Sequence, residues 1–150
     1  MFKIFRIPLN SEMRVPMPEY MTPGAAAMDF YSANIEPMTI NPGQTVLIPL
    51  GIKVAIAPGY KLTLKPRSGL ALRGITLPNS PATIDSDYRG EVGVIVHNAG
   101  RKKFVVEPFM RICQGEIEKA PQRKFTEVSS EEDLGKTLRG EGGYSSTGLY

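Results

Sequence analysis

The sequence predicts an all-β fold, and three observations carry that expectation. Proline and glycine punctuate the chain at short intervals, with "PG" at 23–24, 42–43 and 58–59. Short runs of β-branched and apolar residues lie between the breaks, several with a period of two. Helical periodicity is confined to two short segments. Many short strands separated by turn residues argue an all-β sandwich or barrel.

Each element follows in order. "TVLIPLGIKVAIAPG" reads as a long strand ending in a turn. In "YKLTLKP", Leu62 and Leu64 alternate with Lys61, Thr63 and Lys65, the period of a half-buried strand. "SGLALRG" offers one helical turn through Leu70, Ala71 and Leu72. "EVGVIVHN" places Val92, Val94 and Val96 on one face, and "KKFVVEP" and "RICQGEIEKA" follow as further strands. "SSEEDLGKTL" could open a second short helix, with Ser130 and Asp133 at capping-box-like spacing and Gly135 as its limit.

From Ser129 onward hydrophobic periodicity disappears, so residues 1–128 read as the β domain and 129–150 as a flexible arm. "RGEGGYSSTGLY" has two readings, a frayed tail or a closing segment. It gathers Arg139, glycines, the aromatic Tyr144 and the hydroxyls of Ser145, Ser146 and Thr147. Such groups can close over a nucleoside polyphosphate, with charge and hydroxyls on phosphate oxygens and a ring on the base.

A chain of 150 residues suits one domain with a real core. The formal charge of +3 does not imply nucleic acid. The basic run Arg101-Lys102-Lys103 lacks interleaved aromatics for base stacking and reads as a solvated turn. Cys113 is the only cysteine and His97 the only histidine. An intrachain disulfide and a His/Cys zinc site are excluded, and so is a Ser-His-Asp triad on any other histidine. His97 closes an apolar run, as a strand-end residue does. No apolar stretch approaches the roughly 20 residues that span a bilayer, and "MFKIFRIPLN" has no signal-peptide pattern. The expectation is a soluble, cytoplasmic protein.

"TIDSDYRGE", residues 83 to 91, packs Asp85, Asp87 and Glu91 around Tyr88 and Arg89. Charge this dense is poor core material: it is either a solvated turn or the working part of a site. In an uninterrupted strand Asp85 and Tyr88 would face opposite sides. Both can serve one site only where the chain turns or bulges, and the polar "NSP" with Pro81 makes a bend reasonable.

"KPRSGLALRGI", "NSPATIDSDYRGEVGVIVHN" and "RGEGGYSSTG" resemble the second, third and fifth motifs of the trimeric dUTP pyrophosphatases, the dUTPases. "PGAAAMDFYSA" is similar to the first motif and "MRICQ" to the fourth, all in the family's order from about residue 23 to 148. The resemblance implies a jelly-roll-like β-sheet protomer that assembles as a homotrimer, with sites at subunit boundaries, each closed by a neighbour's arm. It implies hydrolysis of dUTP to dUMP and pyrophosphate, with Mg2+ held through the triphosphate and no direct protein ligand.

By the same resemblance, Asp85 is the base that activates the attacking water, although without the flanking motifs an Asp bonding a turn is the favoured reading. Tyr88 packs on the deoxyribose and leaves no room for a 2′-hydroxyl. Asn79 faces uracil, with backbone near Thr83, Ile84 and Gly93 lining the slot; a plain turn residue is the other reading of Asn79. Arg67, Ser68 and Gly69 contact phosphate, Gln114 lies near the phosphates and the water, and Asp29 holds a basic residue in position. Arg139, Ser145, Ser146 and Thr147 bind the terminal phosphates and Tyr144 lies over the base. Asp87, Arg89 and Glu91 read as structural or boundary charges. Ala27, Ala82 and Phe109 stand where the family usually has glycine, so a backbone with φ > 0 would be strained there. Cys113 replaces a small residue, most often Ala, and Tyr144 the more usual Phe. Two alternatives stay open: a dCTP deaminase, a relative with the same fold that lacks the Asp-x-Asp-Tyr-Arg-Gly arrangement, and a non-catalytic trimeric β module.

Overall fold

The computed structural model describes residues 2–143. Ten strands form three sheets: β1 (Lys3–Arg6), β2 (Met28–Tyr31), β3 (Met38–Ile40), β4 (Thr45–Ala55), β5 (Tyr60–Lys65), β6 (Ile75–Thr76), β7 (Ala82–Ile84), β8 (Glu91–Asn98), β9 (Phe104–Val106) and β10 (Arg111–Lys119). One four-stranded sheet has the order β1-β4-β8-β6, the other β2-β10-β5-β7, and β3 pairs with β9. The non-consecutive orders mean that the chain passes repeatedly between sheets, the jelly-roll-like arrangement that the family resemblance implies.

Alternation builds the core. Ile48, Leu50, Ile52 and Val54 of β4 are buried, and so are Val92, Val94 and Val96 of β8 opposite them. From the second sheet come Phe30, Leu62, Leu64 and Ile112, and all join one apolar cluster. Each such side chain contributes about 1.5–3 kcal/mol on burial. Gly51 interrupts β4 where its register to β8 shifts. Its φ is +62°, and a Cβ there would come within 2.8 Å of Val15 Cγ1, so glycine lets the N-terminal segment lie against the strand.

Thr63 departs from simple alternation. It is 1% exposed although it faces away from Leu62 and Leu64. Its hydroxyl donates to Glu118 Oε2 (2.9 Å), and Lys61 pairs with Glu118 (3.3 Å) and Lys65 with Glu116. A charged ladder between β5 and β10 therefore covers the face expected to be open.

Helix is limited to α1 (Ser68–Ala71) and a 3-10 turn at Glu131–Leu134. Ser130 stands at the start of that turn without a side-chain capping bond; the backbone N–H of Asp133 donates to the Ser130 carbonyl instead (3.3 Å). Gly135, at φ 77°, ends it. The packed strands stop at Lys119, and residues 121–141 are exposed without interruption.

The three usual glycine positions divide. Among the described residues Phe109 is the one non-glycine with positive φ, at 57°, so Ala27 and Ala82 carry no such strain. A left-handed non-glycine residue costs about 1–2 kcal/mol; the Phe109 ring, packed against the core, offsets it. Cys113 is fully buried. Burial first, then the Asp29 charge, pushes its thiol far above the usual range, so it stays protonated and inert.

Candidate active site

Two clefts collect the residues singled out in the sequence, and no residue lines both. The first, of about 500 Å³, is lined by Asn79, Thr83, Ile84, Asp85, Tyr88 and Gly93, together with Leu47, Pro49, Ala82, Glu91 and Ile95. The second, of about 530 Å³, includes Asp29, Arg67, Ser68, Gly69 and Gln114, beside Arg73, Arg111, Met21 and Met110.

The first cleft owes its shape to a turn. β7 ends at Ile84, and the Tyr88 N–H donates to the Asp85 carbonyl (3.2 Å), closing a four-residue turn before β8. This turn brings Asp85 and Tyr88 to one cleft, so the reversal falls on the charged segment itself. The peptide bond before Pro81 is cis. Arg89 fixes the turn by donating to the carbonyls of Ser86 (2.7 Å) and Tyr88 (2.8 Å). Glu91 accepts from the Gly51 N–H (3.2 Å). These two charges brace the backbone.

The Tyr88 hydroxyl donates to the Glu91 carbonyl (2.9 Å), which lays the ring across Gly90. A Cβ on Gly90 would sit 2.3 Å from that hydroxyl oxygen. Leu47 lies likewise against Gly93, where an added Cβ would meet Leu47 Cδ1 at 2.9 Å. Leu47 is 67% exposed and pairs with Ile95, giving the cleft an apolar wall. Sequence reasoning missed that wall; an apolar residue at an outward position of an alternating strand was its signal.

The second cleft is organised by charge. Asp29 is 7% exposed and sits opposite Gln114 in the β2–β10 pairing. Its Oδ2 accepts from Arg111 Nη1 (3.2 Å) and lies 3.3 Å from Arg67 Nη2. Arg67 Nη1 also donates to the Arg111 carbonyl (2.9 Å). One buried carboxylate thus aligns two guanidinium groups, a fork suited to phosphate oxygens. The sequence reading gave Arg111 no role, although it stands within "MRICQ". Gln114 Nε2 donates to the Pro66 carbonyl (2.9 Å), and its Oε1 has no protein partner among the described residues. Ser68 and Gly69 open α1 beside it.

Arg139 lies in the exposed arm, where Nε donates to the Gly142 carbonyl (2.6 Å), and it lines neither cleft. Tyr144, Ser145, Ser146 and Thr147 lie outside the described residues. His97 accepts or donates a bond with Thr45 (2.9 Å) at the end of β8, apart from both clefts. Among the described residues no helix is long and apolar enough to cross a membrane, and no three of His, Cys, Asp and Glu come together as a metal cluster.

One all-β domain thus carries a cleft with the Asn79 amide and a separate arginine fork suited to phosphate oxygens. Comparison with known proteins gives the family. The family model described as dUTPase matches residues 13–148. A deoxyuridine 5'-triphosphate nucleotidohydrolase from Chlamydia pneumoniae is 52% identical over 133 residues, 88% of this chain and 90% of that protein. One from Rickettsia felis is 48% identical over 134 residues, 89% and 88% of the two chains. This chain belongs to the dUTPase family, and it is an enzyme of the nucleotidohydrolase class.

Solved structures agree on the fold. The Staphylococcus bacteriophage 80alpha dUTPase with dUPNHPP superposes with a TM-score of 0.86 at 21% identity, over 99% of both chains. A mutant dUTPase from phage phi11 of S. aureus, described with a structural Mg(II) ion, gives 0.76 at 18% identity over 88% of this chain and 99% of its own.

Proposed function

We propose that the protein hydrolyses dUTP to dUMP and pyrophosphate through a water activated by Asp85, in the cytoplasm. This limits uracil incorporation into DNA and supplies dUMP for thymidylate synthesis. The observation that carries the reading is the single cleft shared by Asn79, Thr83, Ile84, Asp85, Tyr88 and Gly93.

Uracil presents an N3–H donor between two carbonyl acceptors, which the Asn79 amide and the backbone of Thr83, Ile84 and Gly93 can match. Cytosine would leave buried groups unpaired. The Tyr88 ring occupies the space a 2′-hydroxyl would need. Asp85, within hydrogen-bond reach of a water, takes its proton as the oxygen bonds the α-phosphorus and the pyrophosphate oxygen leaves. Arg67, Ser68, Gly69 and Gln114 stabilise the phosphates, with Asp29 as a positioning residue for Arg67. Arg139, Tyr144, Ser145, Ser146 and Thr147 belong to the arm, 129–150, which closes over the β domain, 1–128, and excludes water. Mg2+ neutralises triphosphate charge. Of the two carboxylates at the first cleft, Glu91 is held by the Gly51 N–H, and no three acidic groups gather there among the described residues, so the ion would be held through the triphosphate.

The separation of the clefts supports a homotrimer with shared sites. β7 runs antiparallel to β5 with Ile84 opposite Leu62, so Asp85 falls level with Lys61. Arg67 lies six residues further along that extended chain, roughly 20 Å away at about 3.3 Å per residue. An α-phosphorus cannot sit beside a water on Asp85 and keep its phosphates on the Arg67 of the same protomer. A second copy brings the fork to the base slot.

The test is pyrophosphate release from dUTP with Mg2+, beside UTP, dCTP and dTTP. Turnover of dUTP alone is expected. Ammonia release from dCTP would point instead to a deaminase, and silence on all four to a binding module. Gly90→Ala gives a finer check. The added methyl must displace the Tyr88 ring, so discrimination between dUTP and UTP is expected to fall by about tenfold or more. An unchanged ratio would remove Tyr88 as the sugar gate.

A further inference from the structure

The basic run at 101–103 belongs to a built cationic cleft. Leu72, Arg73, Arg101, Lys102, Lys103 and Phe104 surround it, with a volume of about 610 Å³. Two glycines bring its halves together. Gly74, at φ +82°, packs so closely on Gly100 that a Cβ would lie 2.6 Å from the Gly100 nitrogen. The Ala99 N–H donates to the Gly74 carbonyl (2.8 Å). Asn98, 1% exposed, accepts from the Gly100 N–H (3.0 Å) and donates to the Lys102 carbonyl (2.9 Å).

Like charges held together by a fixed backbone attract a counter-charge. Among the described residues none of these four cations pairs with a carboxylate. Leu72, at the rim, is 91% exposed. An acidic segment with an apolar residue beside the acids complements this lining.

The stretch "EEDL" at 131–134 meets both conditions. Its 3-10 turn presents Glu131, Glu132 and Asp133, none in an ion pair among the described residues, followed by Leu134 at 73% exposure. We infer that the acidic turn of a second copy docks in this cationic cleft, Leu134 against Leu72 and Phe104, and anchors the arm. The turn reaches no such cleft in its own protomer, where every residue from 121 to 141 is exposed. The arm also leaves the body beside Gly59, at the end of β5 opposite α1, through the Ala120 N–H to the Gly59 carbonyl (2.7 Å). The inference rests on the reading of residues 129–150 as an arm that crosses between copies.

A zero-length carbodiimide tests it on the full-length protein, by joining a lysine amine to a carboxylate as an amide while the carbodiimide takes up the water. The expected product is a covalent dimer whose mapped link joins Lys102 or Lys103 to Glu131, Glu132 or Asp133. Lys102→Glu/Lys103→Glu should abolish that link. Adding Glu131→Lys/Glu132→Lys should restore it with amine and carboxylate exchanged. High salt before coupling should suppress the wild-type product, since at about 1 M the screening length falls to about 3 Å. No wild-type link, a link within one chain, or a restoration that fails in the swapped variant would overturn the inference. The readout needs no turnover, so failure of the catalytic reading shows separately, as absence of pyrophosphate release.

Discussion

Asp85→Ala is expected to lower pyrophosphate release from dUTP by about 10²–10⁴-fold, the range a positioned proton acceptor supplies. Binding of a non-hydrolysable dUTP analogue, followed by calorimetry, should persist. The side chain opens a turn whose backbone bond joins the Asp85 carbonyl to the Tyr88 N–H, so truncation leaves that turn closed. No strand pairing or buried contact depends on the carboxylate. The expected signature is therefore a fall in kcat without a matching loss of affinity or thermal stability. Turnover surviving within threefold of wild type, a ~0.6 kcal/mol effect, would remove Asp85 from the chemistry.

Asp29→Ala should act differently. It strips the shared counter-charge from Arg67 and Arg111, which then face each other at the floor of the second cleft. Fully buried pairs lose about 3–5 kcal/mol when one partner is removed. The Arg67 and Arg111 side chains are 29% and 40% exposed, and solvent screening reduces the loss to about 2 kcal/mol. For a chain of this size that corresponds to a melting temperature lower by about 4–8 °C. A released Arg67 also loses its aim, and a charge-assisted phosphate contact is worth about 1.5–3 kcal/mol, so KM should rise roughly 10- to 100-fold. The two readouts separate positioning from bulk stability. A lower melting temperature with unchanged KM would make the ion pair purely structural.

Strands were legible because one face of each is buried: "EVGVIVHN" and "TVLIPLGIKVA" alternate, and the structure buries the residues alternation selects. Thr63 escaped because the covering of its face depends on β10, a strand fifty residues away. The joint placement of Asp85 and Tyr88 could be posed as a geometric condition from sequence, but the turn that meets it is a backbone property of residues 85–88. Asp29 was readable as an acid that holds a base. Its second partner, Arg111, depends on the β2–β10 register, which no local pattern reveals. Leu47 remained hidden for a related reason: its importance comes from lying across Gly93 on the neighbouring strand. Pairwise chemistry within a motif is local, while the walls of a cleft are tertiary.

The Tyr88 ring has a consequence for the thermodynamics of recognition. Its hydroxyl is bonded to its own chain three residues on, and Gly90 beneath it leaves the ring one place to lie. Immobilising such a side chain at the moment of association would cost about 0.5–1.5 kcal/mol. With Tyr88 in its proposed place beside the sugar, part of that ordering is done when the polypeptide folds, and a nucleotide bound there would meet a ring with less freedom left to lose.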